Sequence, residues 1–177
     1  IDTLNKDLTV NLNNLNDNLP IFTSSSSFSA DENQTAIGAV AASDADGDSV
    51  TYTASGSDVV IDNVSGVIAF NTAPDYETKS SFTSTVTATD GLNSSTQDIT
   101  IAVNNLNDNS PVLTSVTDFI IDENTSAVGT ISGSDADGDV LAYSINGTDA
   151  DSLSIDSSTG VLSFNETTDY ETKTSYS

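Results

Sequence analysis

Twice along this chain aspartates alternate with small residues around a glycine, as Asp44-Ala45-Asp46-Gly47-Asp48 and as Asp135-Ala136-Asp137-Gly138-Asp139. Two other acidic groups recur with them. Asp31-Glu32-Asn33 returns as Asp122-Glu123-Asn124, and Asp75-Tyr76-Glu77-Thr78-Lys79 returns as Asp169-Tyr170-Glu171-Thr172-Lys173. Carboxylates this dense repel one another unless cations screen or bind them. A hard cation such as Ca2+ takes about six to eight oxygen ligands, and clustered carboxylates with carbonyls satisfy that geometry. DxDGD alone is also an ordinary acidic turn; its repetition in company with the other groups favours ligation. It is not an EF-hand loop, because the twelfth position counted from Asp44 is Ser55 and from Asp135 is Asn146, where a glutamate is required.

The recurrence has a period. Asn104-Asn105-Leu106-Asn107-Asp108-Asn109-Ser110-Pro111 restates Asn13-Asn14-Leu15-Asn16-Asp17-Asn18-Leu19-Pro20 at an offset of 91, from 104 minus 13. By the DYETK motif the offset is 94, from 169 minus 75, so three residues are inserted between Tyr143 and Gly160. A shared period with one local insertion means tandem domains. The register divides the chain into 1–18, the last strand and linker of a preceding repeat; 19–109, a complete repeat; and 110–177, a repeat without its last strands. This reads as a window on a longer array.

Composition narrows the function. Twenty-seven acidic residues face three lysines, Lys6, Lys79 and Lys173, giving a net charge of −24 with no Arg or His. Nucleic-acid binding needs clustered Lys and Arg and is excluded; an anionic membrane would repel the chain. No run approaches the ~20 apolar residues of a membrane span, so direct membrane insertion is not expected. With no Cys, disulfides and zinc-thiolate sites are absent. With no His or Cys, no nucleophile–base pair suggests itself, and carboxylates copied in every repeat do not make one asymmetric catalytic site. The chain is read as a non-enzyme.

Strands must hold the acids in place. In Asp98-Ile99-Thr100-Ile101-Ala102-Val103 the isoleucines and valine share one face, and Leu8, Val10 and Leu12 repeat the pattern. Phe82, Val86 and Ala88 form a thinner inward row. Runs bounded by Asp, Gly, Asn and Ser predict strands near 20–29, 36–43, 49–54, 58–62, 67–71, 80–89 and 95–105, then near 112–121, 127–134, 140–145, 153–156 and 161–165. Regularly spaced short strands without helical periodicity indicate a β-sandwich. Tyr52 and Tyr143 are expected in the core, and Asp58, Asp149 and Asp151 in solvated turns.

Taken together, these motifs resemble the cadherins. Asp31-Glu32-Asn33 resembles their early glutamate motif, Asp44-Ala45-Asp46 their DAD element, and Asp75-Tyr76-Glu77 their DRE element with Tyr in place of Arg. Ala88-Thr89-Asp90 resembles the late ATD element, and Asn105-Leu106-Asn107-Asp108-Asn109-Ser110-Pro111 the DxNDNxP linker, with Asn105 in place of its first acid. The short DxDGD form is similar to cadherin-like repeats of large bacterial surface proteins. The resemblance implies tandem Ig-like, seven-stranded Greek-key β-sandwiches. It implies Ca2+ ligation by Glu32, Asp75, Glu77, Asn107, Asp108, Asn109, Asp135 and Asp137 where one repeat passes into the next. Asn16, Asp17, Asn18, Asp44, Asp46 and Asp90 would form half of an upstream set, and Glu123, Asp169 and Glu171 half of a downstream one.

The expected function is a calcium-stiffened extracellular spacer in a cell-surface adhesion protein. Its partners would be neighbouring repeats of the same chain, with homophilic contacts a further option. The rival is a self-assembling filament subunit, in which residues 1–12 complete the second repeat of another copy by strand addition.

Overall fold

The structure is a computed structural model that describes residues 5–177. It divides into two compact units, Ile1–Leu106 and Asn107–Ser177. The first four residues of the 1–18 segment, and of the strand proposed for addition to another copy, lie outside the described residues.

In the first unit the period-2 runs become β1 (Ile21–Phe22), β2 (Ser27–Asp31), β3 (Ala36–Ala39), β4 (Ala42–Ser43), β5 (Thr51–Ala54), β6 (Val59–Ile61), β7 (Val67–Phe70), β8 (Ser81–Thr89) and β9 (Ser94–Asn104). One sheet has the order β2-β9-β8-β5, the other β3-β7-β6, and β1 pairs with β4. Two of the seven expected strands are each split. The first pairs antiparallel with β4 through β1, then parallel with β9 through β2.

The facing sheets meet through alternate side chains. Val86, Ala88, Ile99 and Ile101 are fully buried from one sheet, and Ile68 and Phe70 nearly so from the other, with Val40 and Tyr52 closing the core. Each such aliphatic burial contributes about 1.5–3 kcal/mol. The Tyr52 hydroxyl accepts a hydrogen bond from Ala42 N at 2.8 Å, which places this tyrosine in the core as expected. Gly66 sits at φ 70°, and a Cβ there would stand 2.3 Å from Val40 O; Gly160 repeats this at φ 71° and 2.1 Å from Ile131 O. Only glycine permits that approach.

The second unit forms β10 (Val112–Leu113), β11 (Ala127–Thr130), β12 (Gly133–Ser134), β13 (Leu153–Ile155) and β14 (Val161–Phe164), with a single 3-10 turn at Ala150–Ser152. β10 pairs with β12, and a sheet runs β11-β14-β13. Of the strand expected over 112–121 only Val112–Leu113 forms, and the strand expected over 140–145 does not form. Their counterparts β2 and β5 pair with β9 and β8, and at an offset of 94 the sequence to Ser177 reaches only the first positions of a β8 counterpart. A backbone without a ladder partner stays hydrated. Tyr143 is accordingly only half-buried, although its hydroxyl still accepts from Gly133 N at 3.1 Å.

The expected strand at 8–12 fails for the same reason. Leu8, Val10 and Leu12 are exposed and carry no ladder, since β9, the strand they restate, depends on β8 and β2 at its sides.

Candidate metal centres

Local hydrogen bonding shapes each acidic turn, and the same geometry is built twice. In the first unit, Asp46 Oδ2 accepts from the backbone nitrogens of Asp17 at 2.9 Å and Asn18 at 2.8 Å, and its Oδ1 accepts from Asn18 Nδ2 at 2.8 Å. In the second, Asp137 Oδ2 accepts from Asp108 N at 3.1 Å and Asn109 N at 2.8 Å, and its Oδ1 from Asn109 Nδ2 at 3.0 Å. Asp46 N donates to Asp44 Oδ1 at 2.8 Å, and Asp137 N to Asp135 Oδ1 at 2.9 Å. The loop aspartate thus fastens the linker's Asp-Asn pair, leaving oxygens convergent.

Asp44, Asp46 and Asp48 place one oxygen each within 4.8 Å of one another, as do Asp135, Asp137 and Asp139. Asp44 Oδ2 is buried without a hydrogen-bond partner. An all-oxygen donor set with a partnerless carboxylate oxygen fits a hard cation such as Ca2+. Sequence reasoning passed over Asp48 and Asp139, whose signal was their place in DxDGD. Asp139 accepts a hydrogen bond from Asn107 Nδ2. It also missed Asn93, whose Nδ2 donates to Asn16 Oδ1 at 2.8 Å, Asn18 O at 3.1 Å and Asp90 Oδ2 at 3.3 Å. That amide joins Asp90 to the 16–18 segment, although Asp90 contributes no oxygen to the Asp44 group.

The glutamate motif is explained by backbone shape. Asn33 and Asn124 adopt φ 62° and 63°, a left-handed conformation in which asparagine is enriched. Asn33 N donates to Pro74 O and Asn124 N to Thr168 O, at 2.9 and 2.8 Å. Glu32 Oε2 then accepts from Tyr76 N at 2.8 Å, and Glu123 Oε2 from Tyr170 N at 3.0 Å. Because the donor is the backbone, Tyr in place of Arg leaves this bond intact. Glu32 and Glu77 bring carboxylate oxygens within 4.8 Å of each other; Glu123, Asp169 and Glu171 do the same in the second unit. Asp75 lies outside the Glu32 group. Its oxygens cap its own turn, accepting from Glu77 N at 3.1 Å and Thr78 Oγ1 at 2.8 Å.

These hydrogen bonds hold several carboxyls below the ordinary carboxylate range. The Asn18 N–H does so most for Asp46, the Asn93 N–H for Asp90, and the hydroxyls of Thr78 and Thr172 for Asp75 and Asp169. Each is ready to meet a cation in the ionised form.

Asp58 lies exposed in a bend as expected, whereas Asp149 is largely buried, and both are paired. Asp58 pairs with Lys79 Nζ at 2.7 Å, and Asp149 pairs with Lys173 and accepts from Ser177 N at 2.8 Å.

Residues 16–102 match the bacterial Ig domain family. The chain is 34% identical to protocadherin Fat 4 of Mus musculus over 126 residues, covering 66% of this chain and 2% of that protein. It is 37% identical to chitinase A of Pseudoalteromonas piscicida over 107 residues, 58% of this chain and 13% of the enzyme. The chain therefore spans a small fraction of these relatives. Among solved structures, mouse cadherin-23 EC22-24 superposes with TM-score 0.74 at 23% identity over 89% of this chain and 57% of that one. Human protocadherin-24 EC1-2 gives 0.73 at 24%, covering 90% and 82%. The fold is cadherin-like. The all-β, Ig-like sandwich expected from the sequence is the fold these repeats adopt.

Proposed function

We propose that these cadherin-like repeats bind Ca2+ through the acidic sets and serve as a calcium-stiffened extracellular spacer within a larger surface adhesion protein, of the kind bacteria display. The observation that carries the reading is the double construction of one cage, Asp46 on Asp17 and Asn18, and Asp137 on Asp108 and Asn109. The ligands proposed remain Glu32, Asp75, Glu77, Asn107, Asp108, Asn109, Asp135 and Asp137 at the passage between repeats, with the upstream and downstream half-sets as above. Extracellular modules bind calcium at about 10⁻⁴–10⁻³ M, a range that leaves sites filled outside cells and largely empty in cytosol. The match to chitinase A covers too little of that enzyme to bring its activity here. No helix among the described residues is long and apolar enough to cross a membrane.

Calorimetric calcium titration of the chain tests this, with Asp108→Ala and Asp137→Asn beside Asp118→Ala as a bystander. Both site variants should lose affinity and Asp118→Ala should not; equal affinities for all would sink the assignment. Scattering with calcium and with chelator should differ if binding stiffens the chain.

Strand addition between copies keeps one observation in its favour, the exposed alternation of Leu8, Val10 and Leu12. A sedimentation profile that is monomeric at high concentration would remove it.

A further inference from the structure

The lysines of the two DYETK motifs sit in matching surroundings that the calcium reading leaves unexplained. Lys79 Nζ lies 2.7 Å from Asp58 Oδ2 and 4.0 Å from the centroid of the Phe82 ring. Lys173 pairs with Asp149 and lies 4.7 Å from the Tyr176 centroid. These are two of only three cations in a chain of net charge −24. Mere neutralisation would set them among the clustered carboxylates. Instead each ammonium pairs with an aspartate that belongs to no acidic cluster.

The pairing survives an insertion. Gly56-Ser57-Asp58 matches Gly147-Thr148-Asp149, while Val59 matches Leu153, so the three extra residues are Ala150-Asp151-Ser152. They form the 3-10 turn immediately after Asp149. The extra turn is absorbed beyond the aspartate, and the ion pair is kept.

Each lysine also ends the acidic turn. Lys79 N donates to Asp75 O at 2.9 Å and Lys173 N to Asp169 O at 3.0 Å. Asp58, Asp75, Thr78, Lys79 and Phe82 border one groove. We infer that Lys79 and Lys173 are positioning residues, which fasten the end of the Asp-Tyr-Glu turn to the turn ahead of β6 or β13 through an ion pair, with an aromatic face beside the ammonium. The turn is then held in ligand geometry before calcium arrives. This rests on the calcium reading. Cation–π contact and ion pairing together constrain the lysine stem where either alone would leave it mobile.

Charge and positioning predict opposite signs. Removing a cation near a calcium site should tighten binding slightly by Coulomb's law. Loss of a positioning contact should weaken it, and outer-shell partners of metal sites typically cost about 10–100-fold. A half-exposed pair should fall at or below the lower end, roughly 3–10-fold.

The test is calcium titration of the full chain for the parent, Lys79→Met, Lys79→Arg and Lys6→Met, with hydrogen exchange of the 76–79 amides in chelator. Lys79→Met should bind more weakly and exchange faster, Lys79→Arg should restore both, and Lys6→Met should bind as the parent or slightly tighter. If the parent binds calcium and Lys79→Met binds equally or more tightly, the inference is wrong while the calcium reading stands. If the parent binds no calcium, the calcium reading fails and exchange alone reads the clamp; unchanged exchange in Lys79→Met then overturns it.

Discussion

The two units share motifs residue for residue, yet they differ in what those motifs become. Ser27–Asp31 and Thr51–Ala54 are strands in the first unit; Asp118-Phe119-Ile120-Ile121-Asp122 and Ala142-Tyr143-Ser144-Ile145 are not strands in the second. Among the described residues, every buried hydrophobic side chain lies in the first unit, while Ile120 and Val140 are fully exposed. The acidic turns behave otherwise. Asp46 and Asp137 hold the same hydrogen bonds to within a few tenths of an ångström. β2 and β5 pair with strands that follow them, β9 and β8, whereas Asp46 and Asp137 are closed by donors on the linker 28 and 29 residues before them, which both units contain. A cage can therefore form in a unit whose sheet is unfinished.

Glu32 and Glu123 show both rules at one position. Each accepts from the Tyr backbone of its own unit, but Glu32 is 2% exposed and also accepts from Leu106 N at 2.7 Å. That residue follows β9, and the residues to Ser177 stop short of a counterpart. Glu123 is exposed in consequence.

The largest expected effect separates the units by core. Ile99→Ala should lower unfolding free energy by about 2–5 kcal/mol through transfer and cavity terms. Ile120→Ala, on an exposed site, should stay within about 0.5 kcal/mol. Denaturant midpoints measure both, and a comparable loss at Ile120 would mean that the second unit has a core the comparison denies it.

Next comes the glycine that both units share. Gly66→Ala and Gly160→Ala each force a Cβ into a carbonyl and a residue into left-handed space, a strain of at least about 1–3 kcal/mol. Both should melt lower. A harmless Gly160→Ala would show that the second unit's turn is loose enough to relax.

Glu32→Gln, measured in chelator so that calcium plays no part, removes the charge from a buried acceptor of two backbone bonds and should cost about 1–3 kcal/mol. Glu123→Gln should cost less than about 0.5 kcal/mol. Thermal melts of the pair would expose an error if the two losses were equal.

The smallest effect tests where the units agree. Asp75 and Asp169 have folded pKa values below the ordinary one, chiefly through Thr78 and Thr172. A depressed folded pKa stabilises above the unfolded value of about 3.9, and that stabilisation is lost as pH falls through the folded value. Thr78→Val and Thr172→Val should each raise the neighbouring aspartate's titration midpoint, by similar amounts, as read by carboxyl NMR. A shift in one unit alone would show that the turns are less local than their hydrogen bonds indicate.

Much of the molecule was legible as text. The alternation expected over 80–89 and 95–105 announced β8 and β9, because one face must be apolar and the other wet. The repeated Asp-Glu-Asn, DxDGD and DYETK groups announced the acidic turns by their recurrence; the DYETK turn alone is closed by its own side chains, Asp75 with Thr78 and Asp169 with Thr172, while the other two are closed by backbone donors from elsewhere in the chain. The cadherin resemblance supplied the grouping of acids that is proposed as the calcium sites.

What the sequence determined by itself is therefore the periodicity, the sandwich and the chemical character of its ends, all properties of residue type and near spacing. Tertiary structure alone decided the rest. Equal patterns at 8–12 and 99–103 meet opposite fates because one has ladder partners and the other has none. Asp58, to all appearance a loop acid, is claimed by Lys79 because folding brings positions 21 residues apart into contact. Glu32 is buried and Glu123 is not because burial depends on the strand that arrives last, and no local pattern records its arrival.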